Sequence, residues 1–267
     1  MTEARRAAPV LAALALALAL ALTGCVALPP PQTPPAGVTR AFDRLPLAGA
    51  VLDAEWHLPA GEPRAWVLLQ HGFARRCANL RGTAAELAAQ GVATLCLNAD
   101  QDAGVAGGAP QLAEALARWW LSPAARAPDG RAAPPRVVVA GHSAGGLFAA
   151  RVGAAVAAQA PERLAGALLF DPVGGAALRQ ALLAMAGRPL HATLAPPVPC
   201  NARQLARPAL QAAGVALVEP PGATHVDAEG EDGDSAAVRA CREGPPRPEA
   251  VAALRRWAAA ALDAMLR

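Results

Sequence analysis

The stretch from Val137 to Gly146 limits what this chain can become more than any other. Val137, Val138, Val139 and Ala140 form a short apolar, β-branched run, and Gly141-His142-Ser143-Ala144-Gly145 follows directly, leading into an Ala-rich helical pattern. A buried strand therefore has to give way to a helix within five residues, and the two glycines supply the sharp turn. A serine centred in such a G-x-S-x-G turn has its hydroxyl lifted clear of the strand end, while small neighbours let strand and helix approach closely. Ser143 is the candidate nucleophile. Only Ser122 and Ser235 occur beside it in the whole chain, so a serine at this position by chance would be rare.

The rest of the chain repeats the alternation. Thr39 to Pro59 holds two alternating segments, read as an antiparallel β1-β2 start, and Ala65 to Gln70 is a buried-strand run ending in His71-Gly72-Phe73. A helix is expected from about Asn79 to Gln90, a strand over Val92 to Asn98 and a helix over Gly107 to Ser122. Beyond the elbow helix come a strand (Leu164 to Phe170), a helix (Leu178 to Met185) and a strand (Pro189 to Ala195). A helix (Ala202 to Ala213), a last strand (Val215 to Val218) and a closing helix (Glu249 to Arg267) follow. Strands alternating with helices at this spacing predict an α/β fold: a mostly parallel, doubly wound sheet with helices on both faces. With its elbow, this pattern resembles the α/β-hydrolase fold. The segment between Asp171 and the next strand is too short for a large lid.

In that fold the catalytic members run in the order serine, acid, histidine, on loops at the carboxyl ends of strands. His57, His71 and His142 precede Ser143, and His191 falls inside a strand, which leaves His225 in the loop after the last strand. Between the elbow and His225 the carboxylates are Glu162, Asp171 and Glu219. Glu162 precedes its strand and Glu219 lies too close in sequence to His225, so Asp171 is the expected acid. The oxyanion donors are expected to be the backbone N–H groups of Ala144 and Phe73. His71 and His142 are read as loop-ordering residues.

Four motifs together, His71-Gly72-Phe73, Gly141 to Gly146, Asp171-Pro172-Val173 and Pro221 to His225, resemble the α/β-hydrolases of the dienelactone-hydrolase, cutinase-like and chlorophyllase group. The resemblance implies a serine esterase that cleaves a carboxylic ester with no cofactor, its substrate a small-molecule or lipid-like ester. Ala144 stands where chlorophyllases usually carry arginine. The methionine and aromatic platform frequent in cutinase-type polyester hydrolases are missing too. Two other readings share the fold: a silent envelope lipoprotein that only binds, against which the complete ordered triad counts, and a perhydrolase or amidase with the same triad.

Arg5 and Arg6 precede an unbroken apolar run from Val10 to Leu22, and Leu22-Thr23-Gly24-Cys25 follows. That run falls short of the roughly 20 residues of a membrane span and suits a secretory signal. The tetrapeptide resembles the bacterial lipoprotein box. Residues 1–24 are thus expected to be a signal peptide and Cys25 the acylated first residue of the mature chain. Residues 25–38, rich in proline, make a stiff tether, and residues 39–267 form the hydrolase domain. Val26 after the cysteine implies the outer membrane, facing the periplasm, with the lipid anchor as the membrane contact. A net charge of +3 is too small to argue for nucleic acid.

The remaining cysteines, Cys77, Cys96, Cys200 and Cys241, allow three pairings in a compartment that permits disulfides. Cys200 with Cys241 is favoured because it would clamp the His225 segment. Cys77 with Cys96 would join the helix after the oxyanion loop to the next strand. No metal site is expected. Asp227, Glu229, Glu231, Asp232 and Asp234 lack EF-hand spacing and are read as a solvated acidic loop.

Overall fold

The computed structural model describes residues 33–100 and 110–267. The leader, Cys25, most of the proline-rich tether and the first residues of the helix expected from Gly107 lie outside the described residues. Eight strands form one sheet in the order β1-β2-β4-β3-β5-β6-β7-β8. They are β1 Val38–Leu47, β2 Ala50–Pro59, β3 Trp66–Gln70, β4 Ala93–Leu97, β5 Val137–His142, β6 Leu164–Phe170, β7 Leu190–Thr193 and β8 Ala216–Val218. β1 and β2 pair antiparallel, β2 meets β4 antiparallel, and every pairing from β4 to β8 is parallel.

The helices are α1 Arg81–Ala89, α2 Pro110–Leu121, α3 Ala144–Gln159, α4 Ala176–Leu183, α5 Arg207–Ala212, α6 Ser235–Cys241 and α7 Pro248–Leu266. Strand alternation divides the core between the two faces. Trp66, Leu68, Val137, Val139, Ala167 and Leu169 pack with α2, α3, α4 and α5 on one side. Val67, Leu69, Val138, Ala140, Leu168 and Phe170 pack with α1 and α7 on the other. Both faces are covered, and the central parallel strands accordingly read as continuous apolar runs. Between β6 and β7 the chain forms one short helix, α4.

Three expectations need correction. The helix expected from Ala202 is only α5, because Ala202, Arg203 and Gln204 take left-handed φ values of 48, 55 and 62°. Asn201 causes this locally: its Oδ1 accepts the amides of Val198 and Gln204 at 2.9 and 3.1 Å, closing a tight turn where a helix would have begun. The second correction is α6, which stands where no helix was expected. Asp234 caps it, accepting the Ala237 amide at 2.8 Å. The third is the acidic run, which is not a solvated loop: Asp227, Glu229 and Asp232 are buried.

Candidate active site

The elbow follows from close packing at its glycines. A Cβ on Gly141 would collide with the Gly145 carbonyl, and one on Gly145 would collide with the carbonyls of Gln70 and His71. On Gly146 it would come 2.7 Å from the Pro172 side chain. Only glycine lets α3 start this close to the ends of β3, β5 and β6. Ser143 itself has φ 56° and ψ −126°, a strained conformation for a residue with a side chain, worth on the order of 1–3 kcal/mol. The strain is held by the Ser143 amide, which donates to the Phe170 carbonyl at 3.1 Å. The Ser143 carbonyl in turn accepts the amides of Gly146 and Val173 at 3.0 and 2.9 Å.

Sheet register brings the acid alongside. His142 pairs with Phe170, so the next residue of each strand, Ser143 and Asp171, leaves the sheet at the same level. Asp171 has φ 41°, and its Oδ1 accepts the Ala195 amide at 3.1 Å. Its Oδ2 accepts from Asn201 Nδ2 at 3.1 Å and from His225 Nδ1 at 2.6 Å. On its other side the imidazole completes the chain, with Ser143 Oγ donating to His225 Nε2 at 3.1 Å. All three side chains are buried. The structure thus brings together Ser143, His225 and Asp171. The rejected residues lie elsewhere: Glu219 accepts from Arg207 at the surface, 2.8 Å away, and Glu162 sits in the turn before β6.

Gly72 carries the loop expected to supply the second oxyanion donor. A Cβ there would lie 2.9 Å from Ser143 Cβ and 3.3 Å from its Oγ, so the backbone on which Phe73 follows runs against the serine. The Ala144 amide is the first of α3, among those a helix leaves without an internal partner. His71 is buried, its Nδ1–H donating to the Gly72 carbonyl at 2.9 Å. Burial takes its pKa down to about 4, so it serves as a neutral brace for this loop. Two large apolar side chains are exposed on nearby loops. One is Phe73; the other is Leu205, which reaches 4.0 Å from where a Gly175 Cβ would stand.

His225 opens a 3-10 turn, His225–Ala228, whose entry is set by Asp227 accepting the Thr224 amide and hydroxyl at 2.8 and 2.7 Å. The His225 amide donates to both oxygens of Glu243, at 3.1 and 3.0 Å. Its carbonyl accepts from His142 Nε2 at 2.7 Å. Burial, and next the neighbouring His225, hold His142 well below the ordinary imidazole range, so this ring is a neutral donor.

Sequence reasoning missed Asn201 and Glu243, which brace the acid and the histidine. Each lies next to or two residues beyond a cysteine of one disulfide, Cys200–Cys241. That bridge therefore links the support of Asp171 to the support of His225, a broader span than the His225 segment alone. Cys77–Cys96 is the second disulfide, joining the turn Cys77–Leu80 to β4. The acidic run is tied down residue by residue. Glu229 and Asp234 both receive Arg75, and Glu231 receives Arg255. Asp232 accepts the Gly82 amide, its carbonyl accepts Asn79 Nδ2, and Thr83 Oγ1 donates to the Ala228 carbonyl. Burial pushes the carboxyls of Asp227, Glu229, Asp232 and Glu243 upward. Among the described residues no group of three or more His, Cys, Asp or Glu side chains is arranged to hold a metal ion. A groove of about 580 Å³ between α1 and α7 is lined by none of Ser143, Asp171 and His225.

A search against protein-family models and against curated protein sequences returns no match. Solved structures do match. A thermostable esterase from Pseudomonas putida ECU1011 is similar at TM-score 0.66 and 18% identity, over 93% of this chain and 89% of that one. A dienelactone hydrolase from Anabaena variabilis ATCC 29413 gives 0.63 and 20%, over 86% of this chain and 100% of that one. An esterase from Rhizomucor miehei gives 0.59 and 14%, over 92% and 88%. At such identities the likeness speaks for architecture, and it agrees with the strand order and the elbow: this chain has the α/β-hydrolase fold.

Proposed function

We propose that the chain is a serine hydrolase that cleaves a carboxylic ester through an acyl-enzyme. One observation carries this: a serine in a strained elbow donates to an imidazole at 3.1 Å, and the far nitrogen of that imidazole donates to a buried carboxylate at 2.6 Å. His225 Nε2 takes the Ser143 proton as Oγ attacks the ester carbonyl carbon, and Asp171 holds the ring in the tautomer that leaves Nε2 free to accept. Negative charge gathers on the carbonyl oxygen, where the amides of Ala144 and Phe73 are the proposed donors; one such donor is typically worth about 3 kcal/mol. The tetrahedral adduct collapses as His225 returns its proton to the departing alcohol. Water, activated by the same imidazole, then releases the acid and restores Ser143. The apolar Phe73 and Leu205 on loops beside the site suit an ester with a hydrocarbon part, a small molecule or a lipid-like one. The esterases and the dienelactone hydrolase of the same fold support the reaction class.

The expected result is hydrolysis of a short p-nitrophenyl ester by the purified domain. Ser143→Ala should lower kcat by roughly 10⁴-fold or more while leaving circular dichroism unchanged. A folded wild-type protein inert toward a range of activated esters would contradict the reading.

The same proposal covers location. Residues 1–24 are cleaved, Cys25 carries acyl chains, and residues 25–38 hold the domain off the outer membrane on its periplasmic side. Among the described residues no helix is long and apolar enough to cross a membrane. In this proposal the acyl chains make the attachment, each buried methylene adding about 0.8 kcal/mol. A Cys25→Ser chain is expected in the soluble fraction. Retention of that variant with membranes would refute the anchor.

A further inference from the structure

Oxyanion loop, elbow and histidine turn approach the reacting atoms from three separate parts of the chain. They also meet behind Ser143, at a charged cluster that the triad chemistry does not use. Arg75 lies two residues beyond Phe73, and its Nε donates to Glu229 Oε1 at 2.9 Å. Its Nη1 donates to Asp234 Oδ2 at 3.4 Å and to the Ala74 carbonyl at 3.3 Å, fixing the guanidinium to its own loop. Glu229, 1% exposed, immediately follows the turn that starts at His225. His142, the residue before Ser143, donates to the His225 carbonyl while its Nδ1 lies 3.9 Å from Glu229 Oε1. The His142 and His225 rings are 4.8 Å apart.

We propose that Arg75, Glu229 and His142 form a positioning cluster that locks the Phe73 loop, the Ser143 elbow and the His225 turn at one mutual spacing. This rests on the hydrolase reading given above. Donor and base must both meet an oxygen and a proton whose places are defined only in the transition state. Drift between their loops therefore lowers kcat and leaves ground-state binding nearly untouched. An ion pair of this burial, 16% exposed on the arginine side and 1% on the glutamate side, is screened far less than one at the surface. The planar arginine fork holds direction as well as charge.

The cluster responds to pH. Burial lifts the Glu229 carboxyl to about 7, opposed by Arg75 and assisted by Asp234. The groups facing it are Arg75 from the oxyanion loop, His142 from the end of β5, Asp234 ahead of α6 and His225 in its own turn. His142 stays neutral, so Arg75 is the cation that binds the ionised form. Above about 7 the pair is formed; below it Glu229 takes a proton and the lock loosens.

The test is steady-state kinetics on p-nitrophenyl acetate from pH 5.5 to 9 (about 0.5-unit steps) for wild type, Glu229→Gln, Arg75→Ala and the double variant. Each single change is expected to lower kcat by about tenfold or more, against roughly a hundredfold for a 1 Å misplacement, with KM within about twofold. The double variant should fall no further than the worse single one, because the residues act as a unit. On the acid side wild type should lose activity as Glu229 takes up a proton at about 7, and Glu229→Gln should lack that loss. If Glu229→Gln fails to fold, Arg75→Lys replaces it, with the same kcat-only loss expected, since a lysine keeps the charge but not the fork. Undiminished kcat in a folded single variant, or losses that add in the double, overturns the cluster while an active wild type leaves the hydrolase reading standing. A wild type inert to ester and phosphonate alike overturns both.

Discussion

The elbow and the histidine segment reach the same few ångströms of space by different means. From Val137 to Gly146 the chain is held by backbone: β-strand pairing, a helix start and glycines at which any Cβ would strike a neighbour. From His225 to Glu243 it is held by ionised and polar side chains reaching distant partners, and by a disulfide. The backbone that fixes the elbow has no adjustable part. The histidine segment has several, and its buried carboxyls respond to pH. Strain is thus stored at Ser143, the proposed nucleophile, and pH-responsive groups lie around His225, the proposed base.

That contrast predicts a graded set of effects. The largest belongs to the elbow. Gly145→Ala would drive a methyl into the carbonyls of Gln70 and His71, backbone atoms that cannot rotate aside. A loss of about 3 kcal/mol is expected, with kcat falling more than about a hundredfold as Ser143 shifts. Denaturant unfolding and ester kinetics on the variant check both, and a stable, active Gly145→Ala would show the elbow to be far softer than its contacts imply.

A middle-sized effect is expected from the disulfide. Cys200→Ser with Cys241→Ser opens a link across a sequence separation of 41, which the chain-entropy model values at about 4 kcal/mol. Because the bridge flanks both Asn201 and Glu243, kcat should drop beyond what stability alone explains, by about tenfold at a temperature where the variant is fully folded. Unchanged kcat there would mean that Asn201 and Glu243 hold their places without the bridge.

The smallest effect is one of pH and stability. Glu229 has its pKa raised from 4.5 to about 7 on folding, so the folded state binds the extra proton between those values. Its contribution to stability is full below the lower value and is lost as pH rises through the higher one. At pH 8 the ionised group therefore costs the fold up to on the order of 3 kcal/mol. Glu229→Gln should flatten this slope and be at least as stable as wild type at pH 8, while turning over more slowly. Unfolding curves at about pH 5 and about pH 8 measure it; a variant with the wild-type slope would place the titration elsewhere.

The two regions also differed in how far they could be read in advance. Strands β3, β5 and β6, the turn at Ser143 and the positions of Asp171 and His225 at loop starts all follow from local residue patterns. Each depends on neighbours within a few residues or on strand order. Asn201 and Glu243 carried no such pattern, because their partners, Asp171 and His225, lie 30 and 18 residues away. The acidic run misled for the same reason: five carboxylates look like a solvated loop until Arg75, Arg255 and the Gly82 amide arrive from elsewhere in the chain. One missed element did have a local signal. Asp234 before Ser235-Ala236-Ala237-Val238 is a helix N-cap, but glycines at 230 and 233 and the charges around them obscured it.

Labelling with a fluorophosphonate followed by mass-spectrometric peptide mapping shows whether Ser143 is the activated nucleophile proposed above. One adduct per folded chain is expected, on the peptide containing Ser143, and no adduct in Ser143→Ala. A folded protein that takes no label, or takes it on Ser122 or Ser235, would contradict the account.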